Sequence, residues 1–512
     1  MGKLRGKKKP APVKFKKPTK PLTAGTIDGI EAIPVVLPKG KIIKRYILTS
    51  AQNNTILHEG VWQNIKAFAA SFNPPAEIFV GTFTYNKNAY GEDEVKRETF
   101  DSPAISAAPY PVELMPYILV SDKRMQLGDH LVWCGEANII PTTSDPLARF
   151  ETFAGRQSCI FPHAKIAMRS VAATEGNGAK LIYTTGTVTM NNYIQKRAGL
   201  LAEFHHTYGG LIVEVGSEGI WKVRQLNAET KTGTFYDLDL KVENGVVTDK
   251  HRVEAIVFGD LHATIVDPTV LALSATAPGN MIDVLKPKFV FIHDLIEGAS
   301  VNHHGARKPM DRFNTDLRGF TSVEKELQAT ADVLKKYDRP DLKLVIVNSN
   351  HDRWLDRWLD EFDPKFDAAC NLEIYHDGNS ARLQRLRLSG ERLNVLEYLL
   401  QEHTDLTIDA KFLKVDESFT ICDNQIECGQ HGDLGPNGSR GTAQGLAKVG
   451  RRAIIGHSHT AGIWDGLYSV GTSTEFRMGY NVGPSSWTHS HCVVYENGKR
   501  AIITMYKNAW KA

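Results

Sequence analysis

The stretch Val253-Glu-Ala-Ile-Val-Phe-Gly-Asp260-Leu-His262 constrains this chain most. It is an apolar, β-branched run that stops at a glycine and then presents a carboxylate and an imidazole two residues apart. Such a run reads as a buried strand. Side chains alternate along an extended chain, so Asp260 and His262 are expected to point the same way and reach one ion. Asp and His after a strand also serve as turn formers and caps, so the pair alone decides nothing.

The segments downstream, taken in order, carry more weight. Phe289-Val-Phe-Ile-His293-Asp294 reads as a second short buried strand, and Lys343–Val347 as a third that runs into Asn348-Ser349-Asn350-His351-Asp352. A charged helical stretch of about 353–404 comes next, in which Trp354, Leu355, Trp358 and Leu359 form a stripe read as core packing. Then come Phe419–Cys422, His431-Gly432-Asp433 and Arg452-Ala-Ile-Ile-Gly456-His457-Ser458-His459. The end, Cys492–Tyr495 and Arg500–Met505 around Asn497-Gly498, reads as a hairpin with a two-residue turn. In an open sheet, strand ends on one side converge on a common crevice, which would gather Asp260, His262, Asp294, Asn350, His351, His431, His457 and His459. Almost all are hard or borderline metal ligands. With one His-bearing pair per ion and Asp294 shared, the set predicts a two-metal arrangement. Two divalent ions against two carboxylates leave a positive site that attracts phosphate and can hold charge developing on phosphorus.

This ordered series, spanning about residues 250–505, resembles the calcineurin-like metallophosphoesterase superfamily. The resemblance implies an α/β chain whose C-terminal domain has the four-layer α/β/β/α metallophosphoesterase fold. Carried over residue by residue, it implies that Asp260, His262, Asp294 and His459 hold one metal and Asp294, Asn350, His431 and His457 the other. His351 would be the general acid that protonates the leaving oxygen, and Asp352 the carboxylate that orients it. Two positions depart from the family pattern: His293 and Ser349 stand where glycine is usual. Glu297 is read as supporting a ligand from behind. SbcD-type nucleases share the motif blocks and point to manganese, with Fe²⁺, Zn²⁺ or Mg²⁺ as alternatives. The layout also resembles large tailed-phage proteins that pair a leader domain with this fold, including early proteins that degrade host DNA.

Three domains are expected: a disordered basic arm at 1–25, a separate N-terminal α/β domain at 26–250, and the metallophosphoesterase domain at 251–512 with its helical insert. The net charge of +3 hides an asymmetry, because residues 1–20 hold nine Lys or Arg while the rest carries 52 basic against 58 acidic residues. Such an arm suits loose contact with a polyanion. In the second segment, Lys44–Ser50, a helix over His58–Phe72 and Glu77–Thr84 form a β-α-β unit. Lys180–Thr184, a helix around Tyr193–His205 and Leu211–Val215 read as a degenerate repeat of it. His205-His206 read as structural.

No apolar leader comes after the arm and no run of 18 apolar residues occurs, so neither secretion nor a membrane span is expected. Six scattered cysteines without a Cys-x-x-Cys pair fit a reducing, cytoplasmic setting, the host's if the chain is phage-encoded. The leading functional expectation is a DNase with DNA as substrate, supported by the arm and by Arg353, Trp354, His303, His304, Arg307, Lys308 and Arg440 beside the ligands. The alternatives are a phosphomonoesterase acting on phosphoprotein or nucleotide, and a non-catalytic nucleic-acid-binding or assembly protein. A homo-oligomer stays open.

Overall fold

The apolar runs that precede Asp260, Asp294 and Asn350 form the middle of a six-stranded sheet. The computed structural model describes residues 42–85, 110–121, 123–174, 178–305, 308–478, 481–506 and 508–511. The basic arm and Arg307 therefore lie outside the described residues. The strand order is Ala410–Phe412, Lys343–Ile346, Phe289–Ile292, Ala255–Val257, Ser490–Val494 and Arg500–Thr504, with the first four parallel. These strands lack polar alternation because both faces are buried. Ile256, Val290, Ile292, Leu344 and Ile346 face a core shared with the helices Val323–Leu334 and Val395–His403. Ala255, Val257, Phe291 and Val345 face a second core built from other sheets.

That second core does not respect the boundary expected at residue 250. A ten-stranded sheet runs from Thr420–Ile421 through Ile426–Glu427, Arg452–Ile455, Leu467–Ser469 and Gly462–Trp464 into Met168–Val171, Lys180–Thr184, Ser158–Phe161, Leu131–Cys134 and Arg124–Gly128. The join is the antiparallel pairing of Gly462 and Ile463 with Arg169 and Met168. Residues 26–250 are thus not a separate sheet system, since half of one sheet comes from each side of the expected division. The seam is also polar: Gln225 Oε1 accepts from Ile502 N at 2.9 Å, and Asn227 Nδ2 donates to Arg500 O at 2.8 Å.

The helix Ala443–Ala447 covers Ala453, Ile455 and Leu467 on the outer face of this sheet. The insert is three helices, Trp354–Glu361, Leu372–Ser389 and Val395–His403. The first expected β-α-β unit is present: Ile42–Gln52 and Glu77–Phe83 pair in parallel around the helix Glu59–Ala70. Its expected repeat is not. Lys180–Thr184 lies in the ten-stranded sheet, whereas Gly209–Gly216 pairs antiparallel with Ile42–Gln52 in a four-stranded one. The terminal hairpin closes through Glu496, Asn497 and Gly498, three residues rather than two, with Gly498 at φ 73°. This matches a three-residue hairpin loop with glycine in the left-handed position.

Candidate metal centre

Every ligand-type residue lies just past a strand end, and four of them occupy left-handed backbone. The strand Ala255–Val257 ends before Asp260, and His262 has φ 42°, Asp294 43°, His457 70° and His459 55°. Asp260 and His262 therefore converge through a turn and not through strand alternation, which corrects the argument made from spacing. Non-glycine residues at positive φ cost about 1–3 kcal/mol each, and such strain concentrates where a site needs it.

The turns bring one oxygen or nitrogen each from Asp260, His262, Asp294 and His459 within 4.8 Å of one another, all buried. His459 Nε2 lies 3.1 Å from Asp260 Oδ2, and 3.3 Å from His262 Nε2. Beside this group stands a second. Asn350 Oδ1 is 2.9 Å from His431 Nε2 and 3.0 Å from His457 Nδ1. Asp294 belongs to both: its Oδ2 is 3.5 Å from His262 Nε2 and 3.2 Å from His431 Nε2. Its Oδ1 is fixed by the His351 backbone N–H at 3.2 Å, so the carboxylate cannot swing away. Asn350 and His457 are half-buried and mark the open side.

Electrostatics shows what this arrangement prefers. Burial alone would lower the pKa of His431, but the Asp294 carboxylate and then Asp260 reverse that and raise it to about 9. Burial likewise opposes ionisation of Asp294, yet His431, His351 and His262 hold it well below the ordinary carboxylate range. Among the described residues, the ion-pair partners of Asp260 and Asp294 are histidines. The site thus attracts a cation strongly enough to keep a proton on an imidazole past neutrality. Asp260 Oδ1 and His459 Nδ1 are buried without a hydrogen-bond partner. The donor set of carboxylate, imidazole and amide oxygen fits a divalent transition ion. These groups could hold metal.

The surroundings fix the ligands. His262 Nδ1 lies 2.8 Å from Glu297 Oε2, leaving Nε2 to face the cluster. His293 Nδ1 stands 3.3 Å from His431 Nδ1, behind that ring, and burial together with the His431 charge lowers its own pKa to about 4. Ser349 Oγ accepts from Asp294 N at 2.9 Å and donates to Val347 O at 2.8 Å, pinning the turn. Both departures from glycine therefore hold ligands in place. At Gly456 no departure is tolerable, because a Cβ there would stand 2.1 Å from Asp260 Oδ1.

The chain is 35% identical to Protein A1 of Escherichia phage T5 over 481 residues, covering 91% of this chain and 82% of that protein. It belongs to the Protein A1 family. The relation supports a phage-encoded protein. No family model matches the chain, and no solved structure matches it. No helix among the described residues is long and apolar enough to cross a membrane.

His351 lies at the edge of the cluster, its ring 4.5 Å from that of His262, but its expected orienting partner is wrong. Asp352 Oδ1 accepts from Ile296 N at 3.2 Å and its Oδ2 has no hydrogen-bond partner. Burial, then the Asp294 charge, pushes its pKa up to about 7. The group that fixes His351 is the Glu297 carbonyl, 2.7 Å from Nδ1. Trp354 is half-buried and packs against the core as expected, and it also stacks on His351 at 4.0 Å, with His303 and His304 meeting it edge-on. Trp487 meets His459 edge-to-face at 4.2 Å, and nothing in its sequence surroundings signalled it. Arg353 is paired with Asp433 and donates to Asn348 Oδ1 at 3.0 Å. Lys308 and Arg440 are exposed.

Proposed function

We propose that this chain is a phosphodiester hydrolase acting on DNA that would use two divalent cations, preferably manganese, one held by Asp260, His262, Asp294 and His459 and the other by Asp294, Asn350, His431 and His457. The observation that carries the reading is the single Asp294 oxygen lying between His262 and His431 while Asn350, His457, Asp260 and His459 complete two donor groups. Bound there, such ions would supply Lewis-acid stabilisation of charge on phosphorus and lower the pKa of water. Helices over one face of the six-stranded sheet and a second sheet over the other support the expected layered phosphoesterase fold.

The chain's own residues then have distinct tasks. The His351 backbone N–H orients Asp294, and Glu297 orients His262. With Nδ1–H donated to the Glu297 carbonyl, His351 keeps Nε2 as the nitrogen able to hand a proton to a departing oxygen. The stacked Trp354 holds that ring in place and shields it from water. The basic leader seen in the sequence and the relation to a phage protein support DNA as the polymer.

The test is digestion of circular and linear DNA by purified protein with Mn²⁺, beside His351→Ala. Metal-dependent cleavage that falls by about 100-fold or more in the variant supports the reading. Turnover of an aryl phosphomonoester but not of a diester or DNA would move it to a phosphomonoesterase. Intact DNA with every divalent metal tried would leave a binding protein.

A further inference from the structure

Trp487 has two sides. One packs on the ligand-type His459, whose carbonyl accepts from Thr488 N at 3.4 Å; the other walls a cavity of about 660 Å³ in the seam between the two halves of the chain. Flat rings dominate this cavity: Trp487, the stacked pair Phe476 and His489 (4.0 Å, 16°), and Trp221. Arg156, Lys180 and Lys222 stand in the lining; the Lys180 ammonium donates to Glu151 O and Gly155 O at 2.9 and 2.6 Å, and Lys222, only 5% exposed, donates to Tyr506 O, so Arg156 is the cation among them that these bonds do not engage. Of the facing carboxylates, Asp267 is already committed to capping Thr269 N and Val270 N at 2.8 and 3.1 Å. Planar apolar surface beside cations, at a volume suited to one small organic group, is the chemistry of a nucleobase with its phosphate.

The rings also connect the cavity to the site. Trp354, His351, His262, His459 and Trp487 form an unbroken row, with neighbouring centroids at 4.0, 4.5, 5.2 and 4.2 Å. A strand crossing the metal groups would thus meet a half-buried tryptophan on each side. We propose that the cavity seats one unstacked base of the strand being cut, which makes the preferred substrate single-stranded or locally melted DNA. This rests on the nucleic-acid reading above. A base paired within a duplex cannot enter, whereas an extruded one exchanges its lost stacking for the aromatic walls.

The experiment measures binding, so it does not depend on turnover. Protein stripped of metal with EDTA is titrated with a labelled single-stranded oligodeoxynucleotide, with its blunt duplex, and with a deoxynucleoside monophosphate as competitor. The variants are Thr269→Trp, which fills the cavity from a half-buried lining position, and Phe476→Ala, which removes a 41% exposed wall. The proposal expects tighter binding of the single strand than of the duplex. It also expects each variant to weaken single-strand binding by about ten-fold. Unchanged affinity in both variants overturns it, as does equal binding of duplex and single strand. A monophosphate that competes as well as the strand overturns it too, reassigning the cavity to free nucleotides. Turnover of a small aryl phosphodiester by the metal-loaded wild type is measured in parallel. Its failure strikes the hydrolase reading alone and leaves the binding result to judge the cavity.

Discussion

Both halves of the molecule bury histidines, and they do so in opposite ways. In the N-terminal half, His163 is fully buried, its Nδ1 accepting from Lys165 N at 2.9 Å and its Nε2 lying 3.4 Å from Ile140 O. His206, half-buried, has Tyr193 Oη at 2.8 Å from Nδ1 and Thr189 O at 3.0 Å from Nε2. Burial lowers both to about 4, so they are neutral struts. Where strand ends of the six-stranded and ten-stranded sheets come together, by contrast, the nitrogens of His262 and His459 face each other and that of His431 faces a carboxylate and an amide oxygen. A buried imidazole with a separate partner on each nitrogen is structure. Imidazoles whose nitrogens converge on one point are ligands in waiting, and the raised pKa of His431 is the proton's version of that demand.

The largest expected effect comes from removing the group that joins the two donor sets. Asp294→Ala should abolish divalent-metal retention and lower DNA cleavage by about 1,000-fold or more, whereas His206→Gln should leave the metal content unchanged. Elemental analysis after gel filtration, with circular dichroism to confirm folding, checks both. Should His206→Gln also strip the metal, the distinction between struts and ligands fails. Next comes Gly456→Ala, whose methyl must displace Asp260. A loss of metal affinity of about 100-fold is expected, and an unaltered affinity would mean that Asp260 is not a ligand.

Metal should also stabilise the fold by mass action. Mn²⁺ at about 100 times its Kd should add about 2.7 kcal/mol in chemical denaturation of the wild type and nothing in Asp294→Ala. Equal gains in both would place the ion elsewhere. The smallest effect is a pH dependence carried by the struts. His163 has a folded pKa of about 4 against an ordinary 6.5, so the unfolded chain takes up its proton first as pH falls. Stability present above about pH 6.5 is then lost on the way to pH 4, by about 1–3 kcal/mol for this group. Denaturation at pH 7 and pH 4.5 should show a smaller loss in His163→Gln than in the wild type. An identical loss would remove His163 from the account.

That Asp260, His262, Asp294, Asn350, His431, His457 and His459 would gather was legible, but not that they come from two sheets: the first four follow strands of the six-stranded sheet, whereas His431, His457 and His459 follow Ile426–Glu427 and Arg452–Ile455 of the ten-stranded one. How the ligands reach one point was not legible. Strand alternation suggested it for Asp260 and His262, but the reach comes from positive φ, which sequence does not display. The family resemblance made Asp352 the partner that orients His351, whereas the group that holds its Nδ1 is the carbonyl of Glu297, 54 positions away. The division at residue 250 failed for a similar reason. Nothing local in Met168–Val171 says that its edge will pair with Gly462–Trp464, since β pairing between distant segments is a tertiary outcome. The N-terminal β-α-β unit was readable because its helix and parallel partner lie close in sequence, and its supposed repeat was only a resemblance of texture.

The central proposal, that Asp294 would be shared by two cations, is tested most directly by anomalous diffraction from crystals grown with Mn²⁺. The account predicts two peaks, one among Asp260, His262 and His459 and the other among Asn350, His431 and His457, both within bonding distance of Asp294. A single peak, or peaks out of reach of Asp294, would contradict it.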